Sequence, residues 1–503
     1  MTLSPWRLYL TIAASAIVVY LGALGNGFAL DDVAIIATNP LVHRWSGLLE
    51  AFRAPYWPAT AGAAMYRPLT VAGFALDWQT GQLAWLHGVN VLWHAAVSVT
   101  VAALVRRWSG SAGGALVAGV LFAVHPVHVE AVANLVGRAE LMAALFALLS
   151  VYAALEHDLL GWSCAALVLG LLSKETAAIV PGLIAAGWIT GLARRPSRRR
   201  VLAYFASWLC IGVLYGVVRW TILRPYSDQV EAAPVFVGAT FAATKLTAVS
   251  SFADFARLLL FPLHLRVDYS PGERTLVSTP LDARFMVGAL CLALWVGLGI
   301  LAWRRGHRLA AAGLCWSLLA LLPVANILFP TGVLVAERTL YLPSAGLAIA
   351  MGAWAKDLPN RKLLPIVALL FLAGGLRTAF RVPVWTSSER VLESVREDSP
   401  RSYVGPMWTA SSALAAHHPE DAFNEFHVAA ARTMGAPKLL TLGADAAFTL
   451  GRSRIADSLL NELSRICSRC PFYYEFEGRA ALARGDTSVA DSIRVRMSAL
   501  DRR

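Results

Sequence analysis

The sequence predicts an all-α protein: a polytopic membrane body of about eleven spans, followed by a region of helical repeats. Three observations predict this fold class. The chain of 503 residues is 57% hydrophobic and only 15% charged, whereas soluble domains carry about 25% charged residues. Its apolar residues form long runs separated by short basic clusters. Small residues near the C-terminus recur at the period of a helical repeat.

Eleven apolar segments are candidates for membrane spans, since a bilayer span needs about 20 apolar residues and shorter runs occur. The first is interpreted as a retained span and not as a signal peptide, because no clean small-x-small cleavage site precedes the turn at 25–27. The stretch 240–262 is interpreted as interfacial or re-entrant. The eleven candidate spans are 8–25, 86–105, 112–124, 139–155, 160–173, 176–192, 201–218, 284–303, 309–323, 339–355 and 363–381.

The basic clusters test this count, because Lys and Arg collect in cytoplasmic loops. If the N-terminus is cytoplasmic, every strong cluster falls on the cytoplasmic side. Counting 240–262 as a full span would move the later clusters outside. The net charge of +12 is therefore attributed to membrane orientation, and nucleic-acid binding is not expected. The clusters lie at 106–107, 194–200, 304–308 and 356–362.

With a cytoplasmic N-terminus, each span takes the chain to the other side of the membrane. The outer face is then predicted to hold four polar segments and everything after about residue 382. This divides the chain into a membrane domain, 1–381, and an extracytoplasmic helical domain, 382–503. Six cysteines are too few for a disulfide scaffold. Cys467 and Cys470 form a C-x-x-C pair that suits a disulfide in an exported region better than a zinc site, because no second pair completes the ligand set. The four outer segments are 26–85, 125–138, 219–283 and 324–338.

The C-terminal domain carries a repeat of small residues. Ala422, Ala456 and Ala490 are 34 residues apart, since 456 − 422 = 34 and 490 − 456 = 34. This is the period of the tetratricopeptide repeat (TPR), in which paired helices form a superhelical binding surface. Twelve residues earlier in each repeat stands another small residue. Chance spacing in an Ala-rich chain is the alternative interpretation. These earlier residues are Ala410, Ala444 and Gly478.

The first outer segment begins with two adjacent carboxylates, Asp31 and Asp32. Mutual repulsion and partial desolvation raise the pKa of at least one of them. Such a group can accept a proton from a hydroxyl nucleophile or hold a metal. An ordinary solvated loop pair is the alternative of about equal weight. His87 and His94 follow on the second span, where polar residues usually face a cavity.

The second outer segment carries His125, His128 and Glu130. His-x-x-His with a nearby Glu can ligate a metal. Helix capping and hydrogen bonding around a Pro-initiated surface helix is the favoured interpretation. The sequence therefore leaves a divalent metal compatible with these motifs but does not require one.

Cations and carboxylates stand at the outer ends of several spans. Arg and Lys there are well placed to pair with carboxylates or to bind a phosphate. A lipid-linked sugar phosphate has its tail in the bilayer and its phosphate at this depth. In this interpretation the cations hold the leaving phosphate while an Asp activates an acceptor hydroxyl. The residues concerned are Arg67, Arg138, Glu140, Lys174, Glu337 and Arg338.

A series of motifs, in this order, resembles the transmembrane and tetratricopeptide-repeat-containing (TMTC) O-mannosyltransferases and their bacterial relatives. The resemblance runs from about residue 20 to the C-terminus, and the GRAEL and AERTLYLPS stretches are its most specific parts. The motifs are DD after the first span, YRPLT, HGVNVLWH, LFAVHPVHVEAVANLVGRAEL, LLSKETA, LLLFPLHLRVDYS and NILFPTGVLVAERTLYLPSAG.

The resemblance implies a GT-C glycosyltransferase fold, a polyprenyl- or dolichyl-phosphate sugar donor with mannose as the family default, and a protein hydroxyl acceptor. It implies that Asp31 and Asp32 are catalytic and that transfer inverts the configuration at the anomeric carbon of the sugar. Donor-phosphate contacts are expected at Arg138 and Arg338, from their placement, with Lys174 and Arg67 beside them. No cofactor is implied. The absence of N-x-S/T sequons and the Ala/Arg-rich composition fit a bacterial inner membrane with a periplasmic active face.

The acceptor is left open, because the repeat region is shorter and more degenerate than in the family. A protein Ser or Thr docked on the TPR-like domain is the first reading. Transfer to a glycolipid or cell-envelope polysaccharide is the second. A lipid-sugar transporter or flippase is disfavoured, because transporters place ionisable residues near the midplane, often in two similar halves. A non-catalytic scaffold would leave the aspartate pair unexplained.

Overall fold

The computed structural model describes residues 4–58, 65–224 and 232–466, and parts of 474–501. All regular secondary structure within these residues is helical, which confirms the predicted all-α class. Helical turns of five residues or fewer are given below by their residue range. Cys467 and Cys470, and therefore the predicted disulfide, lie outside the described residues.

The described residues form twenty-one longer helices, which are numbered here in chain order. They are α1 (Pro5–Val19), α2 (Pro68–Trp78), α3 (Leu83–Ser109), α4 (Ala112–Ala123), α5 (Arg138–His157), α6 (Leu160–Ser173), α7 (Val180–Ile189), α8 (Arg198–Leu223), α9 (Phe241–Ser250), α10 (Phe252–Leu260), α11 (Ala283–Arg304), α12 (Arg308–Leu321), α13 (Tyr341–Ala355), α14 (Asn360–Leu369), α15 (Gly375–Arg381), α16 (Ser388–Asp398), α17 (Val404–Ala415), α18 (Pro419–Ala430), α19 (Pro437–Thr449), α20 (Ser453–Ile466) and α21 (Thr487–Asp501).

Each of the eleven predicted spans contains helix, and the chain is a multi-pass membrane protein. Among the described residues, five helices are long and apolar enough to cross a bilayer, or six if α4 and Pro126–Ala133, bent by 45°, form one span. The exact count of eleven stays a prediction. The ambiguous stretch 240–262 forms two short helices, α9 and α10, that are separated at Ser251 and do not make one continuous span.

Small residues bring the central helices of the membrane body into backbone contact. A Cβ added at Gly346 on α13 would stand 2.4 Å from the carbonyl oxygen of Gly313 on α12. A Cβ at Gly114 on α4 would stand 2.5 Å from the carbonyl oxygen of Gly352. Helices in membranes pack closely through such small residues, because lipid supplies no hydrophobic force between them. This packing fixes α13, whose N-terminal side carries Arg338.

The basic clusters gather at one end of the membrane body. Arg107 pairs with Glu156, and the Arg200 Nε lies 3.0 Å from Asp158 Oδ1. The Arg308 guanidinium donates to the carbonyl oxygen of Gly191 at 3.1 Å. Helix α3, about 40 Å long at 1.5 Å per residue, leads from its basic C-terminal end to the opposite end of the body. The two aspartates of the first outer segment lie at that opposite end.

Helices α16 to α21 form the C-terminal region. The second helices of successive pairs, α18, α20 and α21, begin 34 residues apart, since 453 − 419 = 34 and 487 − 453 = 34. The predicted repeat residues Ala422, Ala444 and Ala456 are at most 1% exposed, as close packing of paired helices requires. The helix period agrees with the predicted spacing, while assignment of the region as TPR-like stays a prediction.

Polar contacts hold the start of the C-terminal region against the membrane body. The Arg381 guanidinium lies 2.7 Å from a carboxylate oxygen of Asp398. The Ser399 hydroxyl donates to the carbonyl oxygen of Asp268 at 2.8 Å, and the Arg401 N–H donates to Glu273 at 2.8 Å. The first helices of the C-terminal region are therefore held against the loop of the membrane body that carries Asp268 and Glu273.

Candidate functional site

A tight turn after the first helix sets the direction of the two aspartates. Leu30 has φ +50°, a left-handed conformation that costs a non-glycine residue about 1–3 kcal/mol and persists only where its surroundings hold it. The Leu30 N–H donates to the Ser388 hydroxyl at 2.9 Å, and the Gly27 N–H donates to the Thr386 carbonyl at 2.8 Å. The C-terminal side of the membrane body thus clamps the turn that presents the acidic pair.

Asp32 points into the protein and holds two segments together. It is fully buried, and its carboxylate accepts the N–H groups of Val136 at 2.9 Å, Ala29 at 3.2 Å and Leu135 at 3.4 Å. Burial raises the pKa of Asp32 to about 7, although these three backbone N–H groups favour the charged form. With its acceptor capacity used by backbone groups, Asp32 ties the first outer segment to the segment that precedes α5.

Asp31 points into open space. It is partly exposed, and no hydrogen bond or ion pair joins it to another described residue. Burial raises the pKa of Asp31 above its ordinary value, and Arg338 and Arg67 offset only part of that shift. The carboxylate of Asp31 is therefore the member of the pair that is free to accept a proton from a bound molecule.

A large cavity of about 720 Å³ extends from Asp31 into the membrane body. One part of its wall is apolar and belongs to α6 and α8, with Leu171, Trp208, Ile211 and Tyr215 among its side chains. The part beside Asp31 is charged. Only 6% of the residues in the most apolar stretch of α8 are buried inside the protein. The apolar part of the cavity is therefore bounded by a helix that faces lipid.

The charged part of the large cavity contains ion pairs. Arg67 makes a two-pronged contact with Glu175, at 2.7 and 3.1 Å, and stacks over the Tyr56 ring. Lys174 pairs with Glu140. The sequence analysis placed Arg67, Lys174 and Glu140 on one face, and the structure does bring them together; it adds Glu175, the partner of Arg67.

Arg338 closes the opposite side of the charged part. Its guanidinium pairs with Glu130, and its backbone N–H donates to the same carboxylate at 2.8 Å. The Arg338 side chain remains 34% exposed, so it can also reach a ligand. Glu337 points away: it is buried and accepts from the Arg266 N–H at 2.5 Å and the Tyr269 hydroxyl at 2.8 Å. Burial raises the pKa of Glu337 to about 7.

Arg219 is a cavity residue that the sequence analysis missed. It lies near the C-terminal end of α8 and lines the large cavity. Within the described part of the chain no carboxylate pairs with it, in contrast to Arg67, Lys174 and Arg338. The available signal was its position at the outer end of the predicted span 201–218, followed immediately by an outer segment.

A small cavity of about 240 Å³ opens on the other side of Asp31. It shares four wall residues with the large cavity: Asp31, Gly332, Val333 and Arg338. Its remaining walls come from three loop segments and from single residues of other elements. The segments are 233–235, 267–271 and 334–336, and the single residues are Leu30, Glu130, Asn134, Trp385, Tyr403 and Val404. Asp31 therefore stands where two cavities of different size and lining meet.

Arg138 lies beneath the large cavity and not in its wall. It is 1% exposed, pairs with Asp77, donates to the Asn90 side chain at 2.8 Å and to the Leu86 carbonyl at 2.9 Å, and stacks over Phe74. All of its donors are directed at the protein. The structure therefore does not place Arg138 with Arg67, Lys174 and Arg338, with which the sequence analysis grouped it as a phosphate ligand.

The four histidines singled out in the sequence are buried under the same region. His94 contacts the Tyr341 hydroxyl at 2.8 Å, and His128 contacts the Ser344 hydroxyl at 2.7 Å. His125 contacts the Leu259 carbonyl at 3.0 Å and caps Pro126–His128 by accepting the Val127 N–H, while His87 contacts the Gly27 carbonyl at 3.3 Å. The capping interpretation is confirmed, but the helix is buried against α13 and α10 and is not a surface helix as expected.

The histidines do not form a metal centre with their neighbours. Across the described ranges, no group of three or more His, Cys, Asp or Glu side chains is arranged to hold a metal ion. The rings of His94 and His128 pack instead against Phe122 and Tyr341, with ring centres 4.4–5.8 Å apart. These histidines therefore belong to a buried aromatic cluster with Phe122 and Tyr341.

The fold and site define a class: a multi-pass membrane protein in which a carboxylate without a partner among the described residues lies at the charged end of a cavity that reaches lipid-facing helices. Comparison with known proteins gives the relatives of the chain. It is 30% identical over 386 residues to protein O-mannosyl-transferase F38B6.6 of Caenorhabditis elegans, covering 73% of this chain and 54% of that protein. It is 29% identical over 465 residues to human protein O-mannosyl-transferase TMTC4, covering 78% and 62%. Human protein O-mannosyl-transferase TMTC3 is 29% identical over 414 residues, covering 73% and 45%.

The homologues of this chain are thus TMTC-type protein O-mannosyl-transferases, which confirms the resemblance stated from the motifs. The chain spans between 45% and 62% of the length of the three relatives named above. No known protein-family profile matches the chain, and no solved structure matches it.

Proposed function

We propose that this protein is a membrane glycosyltransferase that moves a sugar, mannose by analogy with its relatives, from a polyprenyl-phosphate donor to a hydroxyl group of a protein Ser or Thr. The observation that carries the proposal is Asp31, an unpaired carboxylate at the end of a 720 Å³ cavity whose lining changes from lipid-facing apolar residues to cations. That volume lies within the range of about 300–1,000 Å³ typical of small-molecule sites.

The lining of the large cavity suits the two ends of a lipid-linked sugar phosphate. Side chains of α6 and α8, including Leu171 and Trp208, offer an apolar surface for the first part of the lipid tail. Arg67, Lys174 and Arg219 offer cations for the phosphate. Arg and Lys bind phosphate through charge-assisted hydrogen bonds, which are strong where water is scarce.

The chemistry assigned to Asp31 is general-base catalysis. The acceptor hydroxyl oxygen forms a bond to the anomeric carbon, and the bond from that carbon to the phosphate oxygen breaks. The lipid phosphate leaves with the electron pair, and Asp31 takes the hydroxyl proton. Attack from the side opposite the leaving group inverts the anomeric centre, which gives an inverting GT-C-type reaction. A general base contributes about 10²–10⁴-fold to such a step.

The cations of the large cavity have two tasks in this mechanism. Arg67 and Lys174 hold the phosphate in the ground state, and they stabilise its additional negative charge as the bond to the sugar breaks. Their carboxylate partners, Glu175 and Glu140, keep them in place before the donor binds. The reaction step described here uses only protein side chains. A divalent ion bound with the phosphate would further stabilise the negative charge of the leaving phosphate.

We propose the outer face of a bacterial inner membrane for this site, with the C-terminal region in the periplasm. The support is the position of the basic clusters at the end of the body opposite Asp31, since basic loops collect on the cytoplasmic side. Reporter fusions at residue 400 test this orientation: the account predicts signal outside the cytoplasm, and a cytoplasmic signal would overturn it.

A reconstitution experiment tests the activity. Purified protein in nanodiscs receives radiolabelled polyprenyl-phosphate mannose and a Ser/Thr-rich peptide, and labelled peptide is measured over time. The proposal predicts label on the peptide hydroxyls with the wild type and loss of label with Asp31→Asn. Asp421→Asn, a matched control at an exposed position, should keep full transfer. Movement of the labelled lipid between leaflets of liposomes without any transfer would identify a flippase instead.

A further inference from the structure

The small cavity beside Asp31 has no task in the donor chemistry described above. We infer that it is the acceptor site, and that it admits a Ser or Thr side chain of a polypeptide and excludes a lipid-linked acceptor. This inference rests on the proposed function, because it assigns the second substrate of the same reaction. Three features of the small cavity support it: its position, its size and the origin of its walls.

The position fits the direction of attack. The two cavities meet at Asp31, Gly332, Val333 and Arg338, and their remaining wall residues differ. A displacement at the anomeric carbon needs the nucleophile and the leaving phosphate on opposite sides of that carbon. If the phosphate lies among Arg67, Lys174 and Arg219, then a hydroxyl that approaches from the small cavity arrives on the opposite side, within reach of the Asp31 carboxylate.

The size separates the two substrates. At about 240 Å³ the small cavity lies below the range of about 300–1,000 Å³ that holds a small-molecule ligand. It has room for a hydroxyl side chain with its flanking backbone and not for a second lipid-linked sugar. The large cavity has three times that volume, 720 Å³. The small cavity therefore cannot hold the lipid-linked donor, and the donor is assigned to the large cavity.

The walls of the small cavity argue for a polypeptide. Apart from Asp31, Arg338 and the residues beside them (Leu30, Glu130 and Asn134), they are formed by loop segments 233–235, 267–271 and 332–336 and by Tyr403 and Val404 at the start of α17. Among the described residues, the walls include no residue from the lipid-facing middle of a long helix. Trp385 lines the cavity, but it is the last residue of the candidate span that contains α14 and α15. A glycolipid would need an apolar path from this cavity to the bilayer, as the large cavity has along α6 and α8.

The C-terminal region thus contributes directly to acceptor binding. Tyr403 and Val404 reach the small cavity because Ser399 and Arg401 fix the preceding segment to the loop at 268–273. Through this connection, the start of α17 shapes the opening through which the acceptor hydroxyl reaches Asp31.

Two substitutions that fill the small cavity from opposite walls test the inference. Val404→Trp narrows it from α17, and Val235→Trp narrows it from the loop. Ser412→Trp, at an exposed position on the same helix α17, is the matched control. For each full-length protein in nanodiscs, we would measure kcat/KM for a Ser/Thr peptide, affinity for polyprenyl-phosphate mannose, and hydrolysis of that donor without peptide.

The expected result is a loss of about tenfold or more in kcat/KM for the peptide in both cavity variants, which corresponds to about 1.4 kcal/mol of transition-state binding. Donor affinity and donor hydrolysis stay at wild-type values, which shows that both variants are folded, and Ser412→Trp behaves as wild type. Unchanged peptide transfer in both cavity variants would overturn the inference. So would transfer by the wild type to a glycolipid in preference to the peptide. A wild type that binds the donor but transfers to neither acceptor would instead contradict the proposed function and the inference with it.

Discussion

Two groups of charged residues lie near Asp31 and Asp32 in the membrane body, and they differ in what their charges face. The cavity group, Arg67, Lys174 and Arg338 with their carboxylates, opens onto the space beside Asp31. The buried frame, Arg138 with Asp77 and Asn90, lies beneath that space and is closed on all sides. Both groups consist of Arg or Lys paired with Asp or Glu, yet only the cavity group can exchange a protein partner for a substrate.

The difference teaches that pairing alone does not mark a phosphate site. Arg138 has every donor directed at protein atoms, and opening that network would leave a carboxylate buried without a partner. Arg338 keeps a third of its side chain exposed while paired with Glu130. The same contrast divides the two aspartates, since Asp32 is enclosed by backbone N–H groups and Asp31 is not.

The largest effect is expected in the buried frame. Arg138→Met leaves Asp77 as a buried carboxylate without its cation, and removing one partner of a buried pair costs about 3–5 kcal/mol of unfolding free energy. Chemical denaturation in detergent measures this loss. The double variant Arg138→Met/Asp77→Leu should regain part of the stability. Normal stability of Arg138→Met together with a raised KM for the donor would move Arg138 into the cavity group.

A smaller loss of stability is expected for Asp32→Asn. The amide keeps one acceptor oxygen but turns an NH₂ group toward backbone N–H donors, so at least one buried donor loses its partner at a cost of about 1–3 kcal/mol. The melting temperature in detergent measures the effect, with Asp445→Asn on α19 as a comparison at an Asp outside the acidic pair. A melting temperature equal to that of the wild type would contradict the clamping role of Asp32.

Arg219 sharpens the comparison from the cavity side. Arg219→Gln removes a cation that has no carboxylate partner among the described residues, so the stability should remain unchanged while KM for the donor rises about tenfold, equal to about 1.4 kcal/mol. Arg224→Gln, an exposed cation at the end of the same helix, is the control. A fall in stability without a change in KM would show that Arg219 serves the fold.

The smallest effect is a displacement of the pH profile. Burial raises the pKa of Asp31 above 3.8, and a general base must be deprotonated to act. Transfer should therefore be lost as pH falls through the raised pKa, that is, at a higher pH than an ordinary aspartate would give. The profile of kcat/KM against pH measures this limb, and Glu337→Gln, at a carboxylate that lines neither cavity and accepts from Arg266 and Tyr269, should leave it in place. A limb at or below pH 3.8 would contradict a base with the raised pKa of Asp31.

The sequence predicted most of the fold because apolar runs and basic clusters record the membrane directly. All eleven segments are helical, and the helix starts at Pro419, Ser453 and Thr487 follow the 34-residue period of the alanines. The number of complete spans was not predictable in the same way. Several helices, such as α6 and α12, are shorter than a bilayer requires, and length on its own does not decide which of them cross.

The site could be predicted only as a set of residues on one face. Which way a side chain points depends on the turn at Leu30 and on contacts across the chain, such as that of Leu30 with Ser388. For that reason the sequence could not separate Asp31 from Asp32, or Arg138 from Arg338. It also gave no indication of a second cavity, whose walls come from loops far apart in the sequence.

The central claim is that Asp31 acts on the substrate while Asp32 holds the loop that carries it. Measuring the rate of sugar transfer and the melting temperature for Asp31→Asn and Asp32→Asn, side by side in the same nanodiscs, tests it most directly. The account predicts that Asp31→Asn keeps the wild-type melting temperature and donor affinity but loses about 10²–10⁴-fold in kcat, whereas Asp32→Asn melts earlier. Wild-type transfer by Asp31→Asn, or loss of transfer confined to a fully stable Asp32→Asn, would contradict it.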